Sequence, residues 1–99
     1  MASIKEIKAI LRDKKSYLKQ RYGVKEIGIF GSYVHGQNSA ESDLDVLVEL
    51  ERPPKISLIG IVELENYLSD LLAIKVDLAV KKNLRKRIGK RILGEVEYI

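Results

Sequence analysis

VKEIGIFGSYVHGQNSAESDLDVLVEL, residues 24–50, reads as two strands joined by a loop that carries chemistry. Val24 to Phe30 is short, holds Val, Ile and Phe, and runs straight into Gly31, the pattern of a strand entering a tight turn. Gly28 weakens that strand and permits another backbone to come close. Residues 32 to 36 are enough for one helical turn, and 37 to 42 read as loop. From Leu44 to Leu50 the chain alternates, with Leu44, Val46, Val48 and Leu50 on one face and Asp45, Leu47 and Glu49 on the other. Arg52-Pro53-Pro54 ends this second strand, because proline has no amide to give the ladder.

Outward from this centre the periodicity changes. Ser3 and Glu6 have the spacing of a capping box, and Ile4, Ile7, Leu11, Leu18 and Tyr22 recur near helical spacing until Gly23, which predicts one helix over 4–22. Residues 57–72 carry Leu58, Ile61, Val62, Leu64, Leu68, Leu71 and Leu72, a wide apolar stripe that predicts a well-buried helix despite Gly60, its exposed remainder free for a partner or a second copy. Ile74 to Val80 is a third strand with Asp77 at its centre. Leu84, Ile88 and Ile92 mark the inner face of a last helix that Gly94 should stop, and Val96 to Ile99 suit an edge strand. The order α-β-α-β-α-β-α implies an α+β, two-layer arrangement of helices on a small sheet that need not be wholly parallel. Ninety-nine residues suit one domain, 1–99.

Composition removes several function classes. Without cysteine there are no disulfides, thiolate nucleophiles or Cys-based metal sites. The N-terminal residues hold no apolar signal-peptide core, and no stretch approaches the roughly 18 apolar residues of a membrane span, so a soluble, cytoplasmic protein with no membrane partner is expected. The net charge of +4 is uneven: Lys81, Lys82, Arg85, Lys86, Arg87, Lys90 and Arg91 lie together with no acid among them. Such a run is either a solvated helix face or an attractor of phosphates, RNA or an acidic surface. The five tyrosines lack the aromatic-and-basic pattern of a single-strand RNA platform, so nucleic acid is not the expected partner.

Asp43 and Asp45 are two residues apart, so their side chains share one side of an extended segment. Magnesium ions about 3.5 to 4 Å apart need such hard oxygen ligands, and Asp77 can join them if its strand lies beside the second. The bland alternative makes Asp43 a turn cap, Asp45 a solvated face residue and Asp77 an edge charge that opposes aggregation. Gly31-Ser32 weighs against it, because a glycine turn lets backbone amides approach a phosphate and serine adds a hydroxyl donor.

Gly31-Ser32, ten intervening residues, Asp43-Leu44-Asp45 and a later strand-borne Asp77 together resemble the nucleotidyltransferase superfamily of DNA polymerase beta, in its minimal (MNT) form, over essentially the whole chain. The resemblance implies a polymerase-beta-like mixed sheet flanked by helices, two Mg2+ ions, and transfer of a nucleoside monophosphate from a nucleoside triphosphate to a hydroxyl. Gly31 and Ser32 would then hold the triphosphate, Asp43 and Asp45 the metals, and Asp77 one metal and the incoming hydroxyl. Minimal members of this kind are similar to the antitoxins of HEPN/MNT toxin–antitoxin pairs, which transfer AMP from ATP to a tyrosine of a HEPN ribonuclease. That implies a hetero-oligomer with such a toxin. The alternatives are a binding module that masks a toxin by contact, and a small-molecule nucleotidyltransferase completed by a second subunit. Relatives often carry arginine where this chain has His35, and a neutral imidazole binds phosphate less well than a guanidinium. With no second histidine, a metal role for His35 is not expected, and its plain reading is a loop residue. Tyr33 is either a loop packing residue or part of the nucleotide pocket.

Overall fold

The computed structural model describes residues 3–39 and 41–99. The N-terminal cap forms as its spacing requires: the Glu6 amide donates to Ser3 Oγ at 3.2 Å, and the serine hydroxyl donates to the Glu6 carboxylate at 3.2 Å. The expected single helix over 4–22 is in fact two, α1 (Ile4–Asp13) and α2 (Lys15–Tyr22), broken at Lys14. Between Leu11 and Leu18 no residue is buried. The Lys14 amide closes back on Leu11 at 3.1 Å, and the chain turns so that Leu18 and Tyr22 bury alongside Ile7 and Leu11. Gly23 stops α2 in the left-handed conformation (φ +68°), as predicted.

Strand β1 (Val24–Phe30) pairs antiparallel with β2 (Leu44–Leu50), so that Phe30 faces Asp45 and Ile29 faces Val46. Strand β3 (Val76–Val80) runs parallel to β2 on its far side, and the short β4 (Glu97–Tyr98) lies antiparallel on the free edge of β1. The sheet order is β3-β2-β1-β4, a mixed sheet. Parallel pairing of β2 and β3 needs a crossover, and α3 (Leu58–Leu72) supplies it. Close approach at Gly28 is real: a β-carbon there would stand 2.6 Å from Val96 Cγ2 and 3.1 Å from the Glu97 carbonyl oxygen. The ion pair of Lys8 with Glu97 fastens β4 to α1.

The stripe of α3 is narrower than its composition suggests. Gly60, Leu64, Leu68 and Leu72 are buried at strict four-residue spacing, whereas Leu58, Ile59 and Val62 are 77%, 73% and 56% exposed. Gly60 lets Ile56 lie flat on the helix, since a β-carbon would meet Ile56 Cβ at 2.6 Å. The last helix, α4 (Lys86–Glu95), also departs from expectation. Gly94 does not stop it, because the Val96 amide still reaches the Ile92 carbonyl at 2.9 Å. Ile88 is 55% exposed, and the inner line runs through Gly89 and Ile92. Gly89 replaces Ile88 there because Leu84 closes onto it, at 3.0 Å from a would-be β-carbon.

The core is one cluster between the helices and the sheet, with Ile7, Leu11, Leu18, Ile27, Ile29, Leu44, Val46, Val48, Leu64 and Leu68 at its centre. Among the described residues no helix is long and apolar enough to cross a membrane.

Candidate active site

After β1 the chain turns at Gly31 (φ +80°) into the expected short helical turn, which is 3-10 in form and starts one residue earlier, Gly31–Tyr33. The Gly31 carbonyl accepts the amides of Val34 (3.1 Å) and His35 (3.3 Å), and the Ser32 carbonyl accepts that of Gln37 (2.9 Å). Gly36 (φ +68°) completes the reversal. Tyr33 points into the core and is 4% exposed, which settles it as a packing residue. The loop is thus anchored by one ring beneath and folded on its own backbone above.

Asp45 sits next to this turn. Its Oδ2 occupies the space that a β-carbon on Gly31 would need, so only glycine permits the approach. In the parallel ladder Asp45 and Asp77 are register partners, side by side on adjacent strands. Asp43 lies just before β2, half-buried, on the same side as Asp45. Burial first, then the charges of Asp77, Asp43 and Glu95, push the Asp45 carboxyl above its ordinary value.

Glu95 is the fourth acid, and sequence reasoning missed it. It lies three residues beyond Ile92, hence on the inner face of α4; that i, i+3 step was the signal available. His35 Nε2 donates to Glu95 Oε2 at 2.8 Å. This bond, with smaller help from the Gly31 amide and Arg91, holds the Glu95 carboxyl below its ordinary value, against the opposing effect of burial. His35 is therefore neither a free loop residue nor a lone imidazole; it is the partner of an acid from the far end of the chain.

Two further side chains set the position of Asp77. The amides of Val76 and Leu78 are met by Ser69 Oγ (3.0 Å) and Glu65 Oε2 (2.9 Å), both from α3. This covers an edge that would otherwise be open and fixes the register of β3. In the basic run, Lys81 pairs with Glu49 at 3.7 Å. Tyr17, Tyr22 and Tyr67 form an aromatic cluster, Tyr17 edge-on to Tyr22 and the other pairs tilted, with Tyr17 and Tyr67 centroids 5.2 Å apart.

The donor set suits a hard divalent cation: every candidate ligand is a carboxylate, and the raised Asp45 marks where positive charge is favoured. Among the described residues no three acidic or histidine side chains are already drawn into a cation cage. The backbone brings the acids to one place without closing their side chains on a common point.

Comparison with known proteins bears on what this site does. The nucleotidyltransferase domain family matches residues 6–99. The chain is 46% identical over 99 residues to the protein adenylyltransferase MntA of Thermococcus cleftensis, covering all of this chain and 98% of that one. Its fold is similar to the solved structure of an inferred minimal nucleotidyltransferase, at 27% identity and a TM-score of 0.73, over 92% of this chain and 93% of the other. It also resembles in fold the crystal structure of a toxin–antitoxin with AMP-PNP (23% identity, TM-score 0.70, 87% of this chain and 69% of that one). A glycine-serine turn abutting an Asp-x-Asp strand, a third aspartate in register beside it, and these matches along nearly the full length agree: the chain belongs to the nucleotidyltransferase domain family, with the polymerase-beta-like fold of its minimal members.

Proposed function

We propose that the protein is a magnesium-dependent protein adenylyltransferase acting as an antitoxin, which transfers AMP from ATP to a tyrosine hydroxyl of a HEPN ribonuclease toxin in the cytoplasm. The observation that carries this reading is the full-length similarity to the MntA adenylyltransferase of Thermococcus cleftensis. The register pairing of Asp45 with Asp77 supports it from the structural side.

In this reading Asp43, Asp45 and Asp77 hold the metal, and Gly31 and Ser32 bind the triphosphate. When bound, Mg2+ neutralises charge on the phosphoryl oxygens and favours the deprotonated form of the attacking hydroxyl. The chain's own residues do the positioning. Gly31 gives the triphosphate access to backbone amides, and the Ser32 hydroxyl adds a donor. Asp77, exposed on an edge strand, would meet the incoming acceptor hydroxyl. Asp45, placed between the turn and Asp77, keeps the phosphate and acceptor halves of the site in fixed relation, which is what an in-line displacement needs.

The test is to incubate purified protein with a HEPN toxin from the same organism, ATP and Mg2+, and to measure the intact mass of the toxin. Addition of AMP at a tyrosine, lost with Asp43→Ala/Asp45→Ala, is the expected result. An unmodified toxin that is nonetheless neutralised would replace chemistry with masking by contact.

A further inference from the structure

Glu95 presents a problem for a site that receives a triphosphate. A carboxylate near Asp45 and the Gly31 amide repels phosphate, and it competes for a donor that the turn should offer. Its bond to His35 addresses both difficulties. The imidazole holds Oε2 at 2.8 Å and so draws the carboxylate toward residue 35, while the Gly31 carbonyl holds the backbone amide of the same residue at 3.3 Å. Residue 35 is thereby held twice, by its backbone to Gly31 and by its side chain to Glu95 at the end of α4. Glu95 stands at the end of α4, immediately before the strand that pairs with β1.

We propose that His35 is a positioning residue, which acts through Glu95 to fix the Gly31–Ser32 turn in its nucleotide-binding shape. It works at one remove from the phosphates, as a clasp between the loop and the C-terminal helix. Both side chains are partly solvent-exposed, 48% for His35 and 20% for Glu95, so the clasp can be altered without opening the core. The idea rests on the nucleotide reading above, and its test separates the two.

The experiment compares wild-type protein with His35→Ala, His35→Arg, Glu95→Ala and the His35→Ala/Glu95→Ala double variant. Two quantities are read: affinity for a non-hydrolysable ATP analogue in Mg2+, and hydrogen exchange of the Gly31 and Ser32 amides without nucleotide. His35→Ala should weaken the analogue and speed Gly31 exchange, each by about three- to tenfold, the range expected for loss of one partly exposed charge-assisted hydrogen bond. His35→Arg, which can reach the same carboxylate, should restore both. In the Glu95→Ala background His35→Ala should change neither, because residues acting in series do not add.

If His35→Ala keeps its full effect on affinity in that background, the imidazole touches the nucleotide directly and the clasp is wrong. Unaltered Gly31 exchange in His35→Ala overturns it equally. A wild-type protein that binds no analogue would refute the nucleotide reading, while the exchange measurements would still decide whether the clasp exists. Melting curves of each variant check that the fold is retained.

Discussion

Replacing Asp45 with asparagine should make the metal-free protein more stable while removing its response to magnesium. The side chain keeps its shape, so the change isolates charge. Adjacent strands lie about 4.8 Å apart, which puts the Asp45 and Asp77 carboxylates roughly 5 to 6 Å from each other. At a partly solvated site with an effective dielectric of about 40 to 80, one such repulsion is worth about 0.7 to 1.7 kcal/mol. Asp43 and Glu95 add smaller amounts, and burial adds to the cost of the charged form. A total of about 1 to 2 kcal/mol would raise Tm by about 4 °C or more in a domain of this size.

The pH dependence has a definite sign. The folded chain holds the Asp45 proton to higher pH than the unfolded chain does, so in the window above the ordinary carboxylate range the folded state binds more protons. Stability is therefore lost as pH rises through that window and recovered as it falls. The gap between Asp45→Asn and wild type should be full at pH 7.5 and narrow toward pH 4. Thermal melts in EDTA at the two pH values, repeated with millimolar Mg2+, measure all of this. Magnesium should raise the Tm of the wild type by mass action and leave the variant unmoved. An asparagine variant less stable than wild type at pH 7.5 in EDTA would show that Asp45 is a net structural contributor, and would refute the picture of crowded charge.

Gly31→Ala should destabilise the fold by about 1 to 2 kcal/mol, the cost of a left-handed alanine, and abolish nucleotide binding, because its methyl group overlaps Asp45 Oδ2; binding at wild-type affinity would remove the turn from the site. Gly28→Ala should loosen β4 from β1, since the new methyl group meets Val96 and the Glu97 carbonyl; hydrogen exchange at Ile99, whose amide bonds Ile27 at 2.9 Å, is the readout, and unchanged protection would contradict the close approach. Ser69→Ala removes the acceptor of the Val76 amide and should cost about 1 kcal/mol in denaturant melts. If β3 is held as the structure indicates, the same variant lowers kcat by displacing Asp77; normal turnover with reduced stability would limit Ser69 to a structural role.

Local signals in the chain were read correctly where the physics is itself local. Ser3 and Glu6 cap a helix because the partners are three residues apart, and Gly23 ends one because only glycine takes the left-handed turn without strain. The strand at 24–30 followed from its Val, Ile and Phe content and the glycine after it, and that at 44–50 from alternation and the prolines that end it. The break at Lys14 was missed because it satisfies packing against a sheet that does not exist at the level of one helix. The excess of apolar residues on α3 hid which of them face inward, and the four-residue line through Gly60 became visible only with Ile56 lying across it. Gly94 was misread for a related reason: a glycine permits a helix to stop but does not compel it.

The candidate site divides along the same line. Which residue types can bind phosphate or a hard cation, and that Asp43 and Asp45 share a side, follow from side-chain chemistry and the two-residue repeat of a strand. That Asp77 stands in register with Asp45, that Ser69 and Glu65 hold it there, and that Glu95 returns from the chain's end to meet His35 are matters of tertiary structure. Those contacts join residues 7 to 60 positions apart, or strands linked by a helical crossover, and no single-element periodicity selects such partners. They arise when one sheet and its helices bury a common core, which brings distant polar groups to the same edge.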